Sequence, residues 1–332
     1  MKLLEVSGTN YEMGKQIGEA FKTSLNRKAK KLTKTLEDPL LYKKIMDIRK
    51  KLEKDFPFIL EEINGKAEGA EIDKNVTLLM HSPELLWKNE GCSTAIMIDK
   101  ENDVLFSHNE DERDFKKNET MIVKYVYEDH WVIGYTACDK VIGSCFGFNS
   151  YGLLFSSNLI INHGINTDYV SRYILQRYLT EANSISDLRK RLKDIEVASP
   201  FSFNVVDINK CKAYNFEKDL KKVVETKITD RYARANHFKT RKGEVNKSES
   251  SDFRDVKATE LIYKLDREKV KLKDVKKIMD YKTKNHNKSI LLLDNDKNVS
   301  QTVANLTYST KENIAIITDY LGNMVYEYYL SL

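Results

Sequence analysis

The chain has no CxxC pair among its four cysteines, only four prolines in 332 residues, and no Gly/Ser-rich stretch, internal repeat or low-complexity tract. Cys92, Cys138, Cys145 and Cys211 are widely scattered, which argues against both a disulfide scaffold and a zinc knuckle and makes reduced thiols the expectation. No window approaches the roughly 18 apolar residues that a membrane span needs, and the opening MKLLEVSGTNYEMGKQ has one Lys and then only a short apolar stretch. A soluble, cytoplasmic protein without a membrane span is expected. No HExxH or comparable spacing supports a metal site, and neither a metal nor an organic cofactor is expected. No clear linker divides the chain, and KTRKGEVNKSESSDFRD (239–255) is its most loop-like segment.

What is present is enough for a sizeable core: 41% of residues are hydrophobic and 10% aromatic, and the length allows one large domain or two ordinary ones. The formal charge of +5 is the difference between 55 basic and 50 acidic residues, and runs such as KKIMDIRKKLEKD interleave both signs. Such runs read as solvated helix faces, so no nucleic-acid partner is expected.

Met13, Ile17, Phe21 and Leu25 recur every four residues and predict a helix from Tyr11 to about Thr35. A second helix is expected over about 39–54, a third after Pro57 through Ile59, Ile63 and Ala67, and a fourth over 75–88, which makes residues 1–88 nearly all helix. After Cys92 the texture changes to short β-branched and aromatic runs: STAIMID, DVLFSHN, TMIVKYVYE, HWVIGYTA and GLLFSSNLI. Helices return at about 167–195 and 255–282, and strands at 202–207, 211–217, 231–236, 288–293, 302–309, 313–319 and 324–330. Two packed antiparallel sheets with helices outside would bury these faces, an α+β arrangement.

The step NEGCSTAIMID places Gly91 and Cys92 where the helical leader becomes sheet. A lone cysteine is most often a small buried hydrophobe. At the first position of a strand and after a glycine, however, its sulfur could attack the Gly91 carbonyl, since glycine has no Cβ to obstruct the approach. Hydrolysis of the thioester would leave Cys92 as a new N-terminus. Its α-amine, with a pKa of about 7.7–8.0, could then serve as base for the adjacent thiol.

Six segments occur in a familiar order: VSGTNYEMGKQIGEAFK, DFPFILEEINGKAEGAEI, NEGCSTAIM, SHNEDERDF, FNSYGLLFSSNLI and RYARANHF. In these the sequence resembles the penicillin acyltransferase-like family of self-cleaving N-terminal-nucleophile hydrolases, whose wider relatives include bile salt hydrolases and acid ceramidase. The resemblance implies a four-layer α-β-β-α sandwich, with residues 1–91 as a helical leader or propeptide and 92–332 as the catalytic domain. It implies autocleavage between Gly91 and Cys92, with Cys92 as nucleophile and Asp111 as the carboxylate that orients its amine. Asn236 would contribute its side chain to the oxyanion hole, and Asn158 would lie near the amine. The partner expected is a small-molecule amide or acyl donor, attacked to give an acyl-Cys92 intermediate that water or an amine resolves. The sequence sets no oligomeric state.

The sequence departs from the family at Glu110, where Trp is usual, and at NVSQTVANL, which lacks the Ser-Arg pair of the penicillin enzyme and argues against penicillin as substrate. Simpler readings stay open. Asp111 could be a turn residue, Asn236 a strand-end hydrogen-bonding residue, and His81, His108 and His237 surface or core histidines. The rival functions are an unprocessed thiol hydrolase with His237 as base for Cys92, and an inactive acyl-compound binding protein with Glu110 blocking the site.

Overall fold

The computed structural model describes residues 1–86, 91–113, 117–161, 164–241, 247–293 and 299–329. The first segment holds β1 (Lys2–Ser7), α1 (Asn10–Ala20), α2 (Lys22–Thr35), α3 (Pro39–Asp55), α4 (Pro57–Ala70) and α5 (Lys74–Met80). Then come β2 (Gly91–Ile98), β3 (Val104–Glu112), β4 (Thr120–Val126), β5 (Trp131–Ala137), β6 (Phe146–Asn149), β7 (Leu153–Leu159), α6 (Arg172–Leu179) and α7 (Ile185–Lys193). The remainder comprises β8 (Phe201–Asp207), β9 (Lys212–Lys218), β10 (Val223–Ile228), β11 (Arg231–Arg234), α8 (Glu249–Tyr263), α9 (Leu272–Met279), β12 (Gln301–Ser309), β13 (Ile314–Asp319) and β14 (Met324–Tyr329).

Local chemistry sets the helix boundaries. Thr9 and Glu12 form a reciprocal cap on α1, Asp38 caps α3 ahead of Pro39, and Asp73 accepts from two N–H groups at the start of α5. The helix expected over 11–35 breaks at Phe21 (φ −121°, ψ 18°), whose ring stays in the core. The one expected over 75–88 stops at Met80, because Pro83 disfavours helix at the residue before it; residues 87 and 88 lie outside the described ones.

The strands form an eight-stranded sheet in the order β1-β4-β5-β6-β7-β8-β9-β10 and a six-stranded sheet in the order β11-β2-β3-β12-β13-β14. Ile96, Phe106, Tyr135, Phe146, Leu154 and Leu306 fill the space between them. Met13, Ile17, Leu25, Leu175 and Leu188 cover the outer face of the large sheet through Phe155, Phe203 and Val205. Ala258, Ile262, Val275 and Ile278 of α8 and α9 cover the outer face of the small one through Ala95, Met97 and Leu105. The layers are therefore α-β-β-α, as expected.

Three strands were not expected: β1, β6 and β10. β1 qualifies the nearly all-helix reading of residues 1–88, since it pairs in parallel with β4 at the edge of the large sheet. The strand expected at 288–293 is not formed; Ile290, Leu291 and Leu292 are instead buried in an irregular segment. The segment 239–255 carries the start of α8, and its residues 242–246 lie outside those described. No helix among the described residues is long and apolar enough to cross a membrane.

Candidate active site

β2 and β3 pair antiparallel with Gly91 opposite Asp111, Cys92 opposite Glu110, Ser93 opposite Asn109 and Thr94 opposite His108. Because side chains alternate across a strand, this register sorts the residues into two sets. Cys92, Thr94, His108 and Glu110 share the face that looks between the sheets, with Ile96 and Phe106. Gly91, Ser93 and Asp111 look toward α8, on the side of Ala95 and Leu105. Every one of these residues is buried. Asn89 and Glu90, which precede the junction, lie outside the described residues.

On the face toward α8, Arg254 is the hub. Its Nη1 donates to the Cys92 carbonyl at 2.7 Å and to Ser93 Oγ at 2.8 Å, and lies 3.4 Å from Asp111 Oδ2. Its Nη2 donates to Asn236 Oδ1 at 2.8 Å. Asn236 Oδ1 also accepts the Cys92 backbone N–H at 3.1 Å, while its Nδ2 donates to the Leu159 carbonyl at 2.8 Å. Asp111 Oδ1 accepts from Thr302 Oγ1 at 2.7 Å. Burial pushes the Asp111 carboxyl up to about 6, against the opposing pull of Arg254 and the Thr302 hydroxyl. A Cβ at Gly91 would meet Asp111 Oδ2 at 3.2 Å, so a larger residue before Cys92 would have to displace that carboxylate by a few tenths of an ångström.

On the face between the sheets, Cys92 Sγ donates to Glu110 Oε2 at 3.4 Å. That oxygen is 3.5 Å from His108 Nε2, and Glu110 Oε1 is 3.9 Å from Lys140 Nζ, which also pairs with Glu112. Thr94 Oγ1 donates to Asn158 Oδ1 at 2.9 Å and lies 2.8 Å from His108 Nδ1. Thr94 Oγ1 and His108 Nδ1 share one proton between them, and His108 Nε2 faces Glu110 on the other side of the ring. His108 Nε2 and Asn158 Nδ2 are buried without hydrogen-bond partners among the described residues.

The structure thus brings Cys92, Asp111 and Asn236 into one hydrogen-bonded network and places Asn158 beside it through Thr94. His237 belongs elsewhere: its Nδ1 is 2.9 Å from Ser251 Oγ and its Nε2 is 3.5 Å from Asp255, so it faces α8 rather than the sulfur. His81 is a core histidine between the Thr77 carbonyl and Lys66, its pKa lowered to about 3 by burial and by the neighbouring ammonium. Arg254, Thr94 and Lys140 escaped the sequence reading. The signal for Arg254 is faint, one arginine in a segment that reads as loop, and only the fold sets it against residues 162 positions earlier.

The profile of the acyl-coenzyme A:6-aminopenicillanic acid acyl-transferase family matches residues 98–323, beginning just past Cys92. A beta-alanyl-dopamine/carcinine hydrolase of Drosophila melanogaster is 25% identical over 226 aligned positions, covering 59% of this chain and 58% of that protein. The chain therefore spans little more than half the length of that relative. Penicillin V acylase from Agrobacterium tumefaciens superposes with a TM-score of 0.50 at 12% identity, covering 72% of this chain and 86% of the acylase. A variant of conjugated bile acid hydrolase from Clostridium perfringens superposes with a TM-score of 0.51 at 12% identity, covering 72% and 92%. At such identity the two structures speak for the fold, the N-terminal-nucleophile hydrolase sandwich.

Proposed function

We propose, for a chain that belongs to the acyl-coenzyme A:6-aminopenicillanic acid acyl-transferase family, that Cys92 is the nucleophile of an amide-cleaving enzyme that first cuts its own Gly91–Cys92 bond. One observation carries this reading: the nitrogen, carbonyl and sulfur of Cys92 each have a different buried partner, Asn236, Arg254 and Glu110. Any buried backbone needs the first two partners, but a cysteine that only fills core space needs no carboxylate at its sulfur.

In the intact chain the Cys92 nitrogen is an amide and cannot act as base. Glu110 Oε2, the acceptor of the thiol proton, takes that proton as sulfur attacks the Gly91 carbonyl carbon. The S–C bond forms, the C–N bond breaks, and the proton passes to the departing nitrogen. Water then hydrolyses the thioester, which leaves a carboxylate on Gly91 and a free α-amine on Cys92. That amine becomes the base for later turnovers, oriented by Asn236 Oδ1, while Asp111 acts one step back by holding Arg254.

Attack on a substrate amide puts negative charge on its carbonyl oxygen, which needs a pre-placed donor. Asn236 Nδ2 is engaged by the Leu159 carbonyl, whereas Asn158 Nδ2 is buried and unpartnered, so the oxyanion role suits Asn158 better than Asn236. The acyl-Cys92 that results is resolved by water or by an amine.

The substrate class is a small linear acyl amide, and β-alanyl-dopamine and carcinine, named for the Drosophila relative, head the panel to assay. The test is acid-quenched turnover followed by peptide mapping. The expected result is an acyl mass on the Cys92 peptide and no amine release by folded Cys92→Ala protein; amine release by that variant contradicts the reading. A second reading has one observation in its favour, His108 Nε2 lying 3.5 Å from Glu110 Oε2, the acceptor of the thiol proton. With His108 and Glu110 as bases, the uncut chain could hydrolyse amides, and activity in uncut protein would select this reading.

A further inference from the structure

We propose that Cys92 Sγ, His108 Nε2 and Glu110 Oε2 form a binding site for a zinc-type divalent cation. The three atoms all lie within 4.8 Å of one another and all three side chains are buried. Tetrahedral zinc with bonds of about 2.3 Å to sulfur and about 2.0–2.2 Å to nitrogen and oxygen sets its ligands about 3.4–3.6 Å apart. The sulfur–carboxylate edge is 3.4 Å and the imidazole–carboxylate edge 3.5 Å.

The independent sign of a ligand is His108 Nε2. It is a fully buried ring nitrogen with no hydrogen-bond partner among the described residues, 3.5 Å from Glu110 Oε2. Three contacts lock its ring in that orientation. Nδ1 is hydrogen-bonded to Thr94 Oγ1, Phe106 stacks on one face and Phe146 meets the ring edge-on. A fixed hydrogen bond on the far nitrogen is how ligating histidines are held in tautomer and orientation.

The charges also balance. Lys140 is paired with Glu112, so a Cys92 thiolate and a Glu110 carboxylate against one divalent cation leave no net buried charge. The thiol proton goes to solvent as the S–metal bond forms. All three donors lie on the same side of the Gly91–Cys92 bond, so cut and uncut chains carry the site alike and the proposal stands apart from self-cleavage. A cation held there occupies the nucleophile, so zinc should inhibit amide cleavage reversibly.

Titration of the purified full-length protein with Co²⁺ tests this, with Zn²⁺ as competitor. Expected are one cobalt per chain, a sulfur-to-cobalt charge-transfer band in the near ultraviolet, and its displacement by zinc. The band should vanish in Cys92→Ser, a near-isosteric change. Zinc affinity should fall at least about tenfold in His108→Gln and in Glu110→Gln, while His237→Gln should match wild type. Should the histidine or glutamate variant fail to fold, the wild-type and Cys92→Ser spectra decide alone. Absence of the band in wild type, or its persistence in Cys92→Ser, overturns the proposal, as does undiminished zinc affinity in folded His108→Gln.

Discussion

Arg254 meets Cys92, Ser93, Asp111 and Asn236 with two nitrogens, and it is the cation against the buried Asp111 carboxylate. Removing one partner of a buried pair strands the other, at a cost of about 3–5 kcal/mol. Arg254→Met should therefore lower unfolding stability by that order, and adding Asp111→Asn should recover part of the loss. Denaturant melts in a Cys92→Ala background read this apart from chain cleavage. Asp111 also sets a pH signature. Its native pKa of about 6 stands above the ordinary value of 3.8, so folding favours the protonated acid. That contribution is full below about pH 4 and is lost as pH rises through 6, a change on the order of 3 kcal/mol. Wild-type stability relative to Asp111→Asn should fall between pH 4 and 6 and stay level above; a rise over that interval would refute the assignment. At this scale the sequence singled out Cys92, Asp111 and Asn236 because each sits in a quotable motif, and the structure links them by hydrogen bonds through Arg254. The Arg254 hub was illegible because a contact between residues 162 apart depends on how α8 lies on β2. The Cys92–Glu110–His108 cluster was illegible because it depends on cross-strand register.

The helix pair α1 and α4 packs backbone against backbone. A Cβ on Gly14 would meet the Glu62 carbonyl oxygen at 2.0 Å and one on Gly65 would meet that of Tyr11 at 1.9 Å, with Gly18 and Gly69 repeating the pattern one turn on. The backbones touch, so even a methyl group must push the helices apart. Gly65→Ala should destabilise the protein by about 1–3 kcal/mol or more, measured by thermal unfolding; an unchanged midpoint would contradict the crossing. Periodicity of 3.6 made these helices readable, and alternation did the same for most strands. β6 and β10 were missed, the first being four residues with a glycine and the second a half-exposed edge. KSILLL read as strand because a short apolar run does not distinguish strand from buried irregular chain. Here Ile290 and Leu291 instead bring their N–H groups to the Tyr281 carbonyl.

Across the whole molecule, residues 1–86 of the expected leader are part of the folded body. β1 extends the large sheet, and Met13, Ile17, Phe21 and Leu25 share its core with Phe155, Phe203 and Phe216. The four-layer order was legible from the alternation of helix-rich and strand-rich stretches; the leader's place inside it was not, because β1 pairs with β4 more than 100 residues away. Cutting at Gly91 should therefore leave two chains that remain associated: gel filtration of processed protein should give one peak containing both, separable only in denaturant. The central claim is that Cys92 sulfur opens the bond before it. Intact mass of freshly purified protein, under denaturing conditions, tests this most directly. The account predicts one fragment ending at Gly91 and one beginning at Cys92 in wild type, and a single full-length mass in Cys92→Ala. A wild-type protein that hydrolyses amides as one uncut chain, or a Cys92→Ala protein that still splits at this bond, would contradict it.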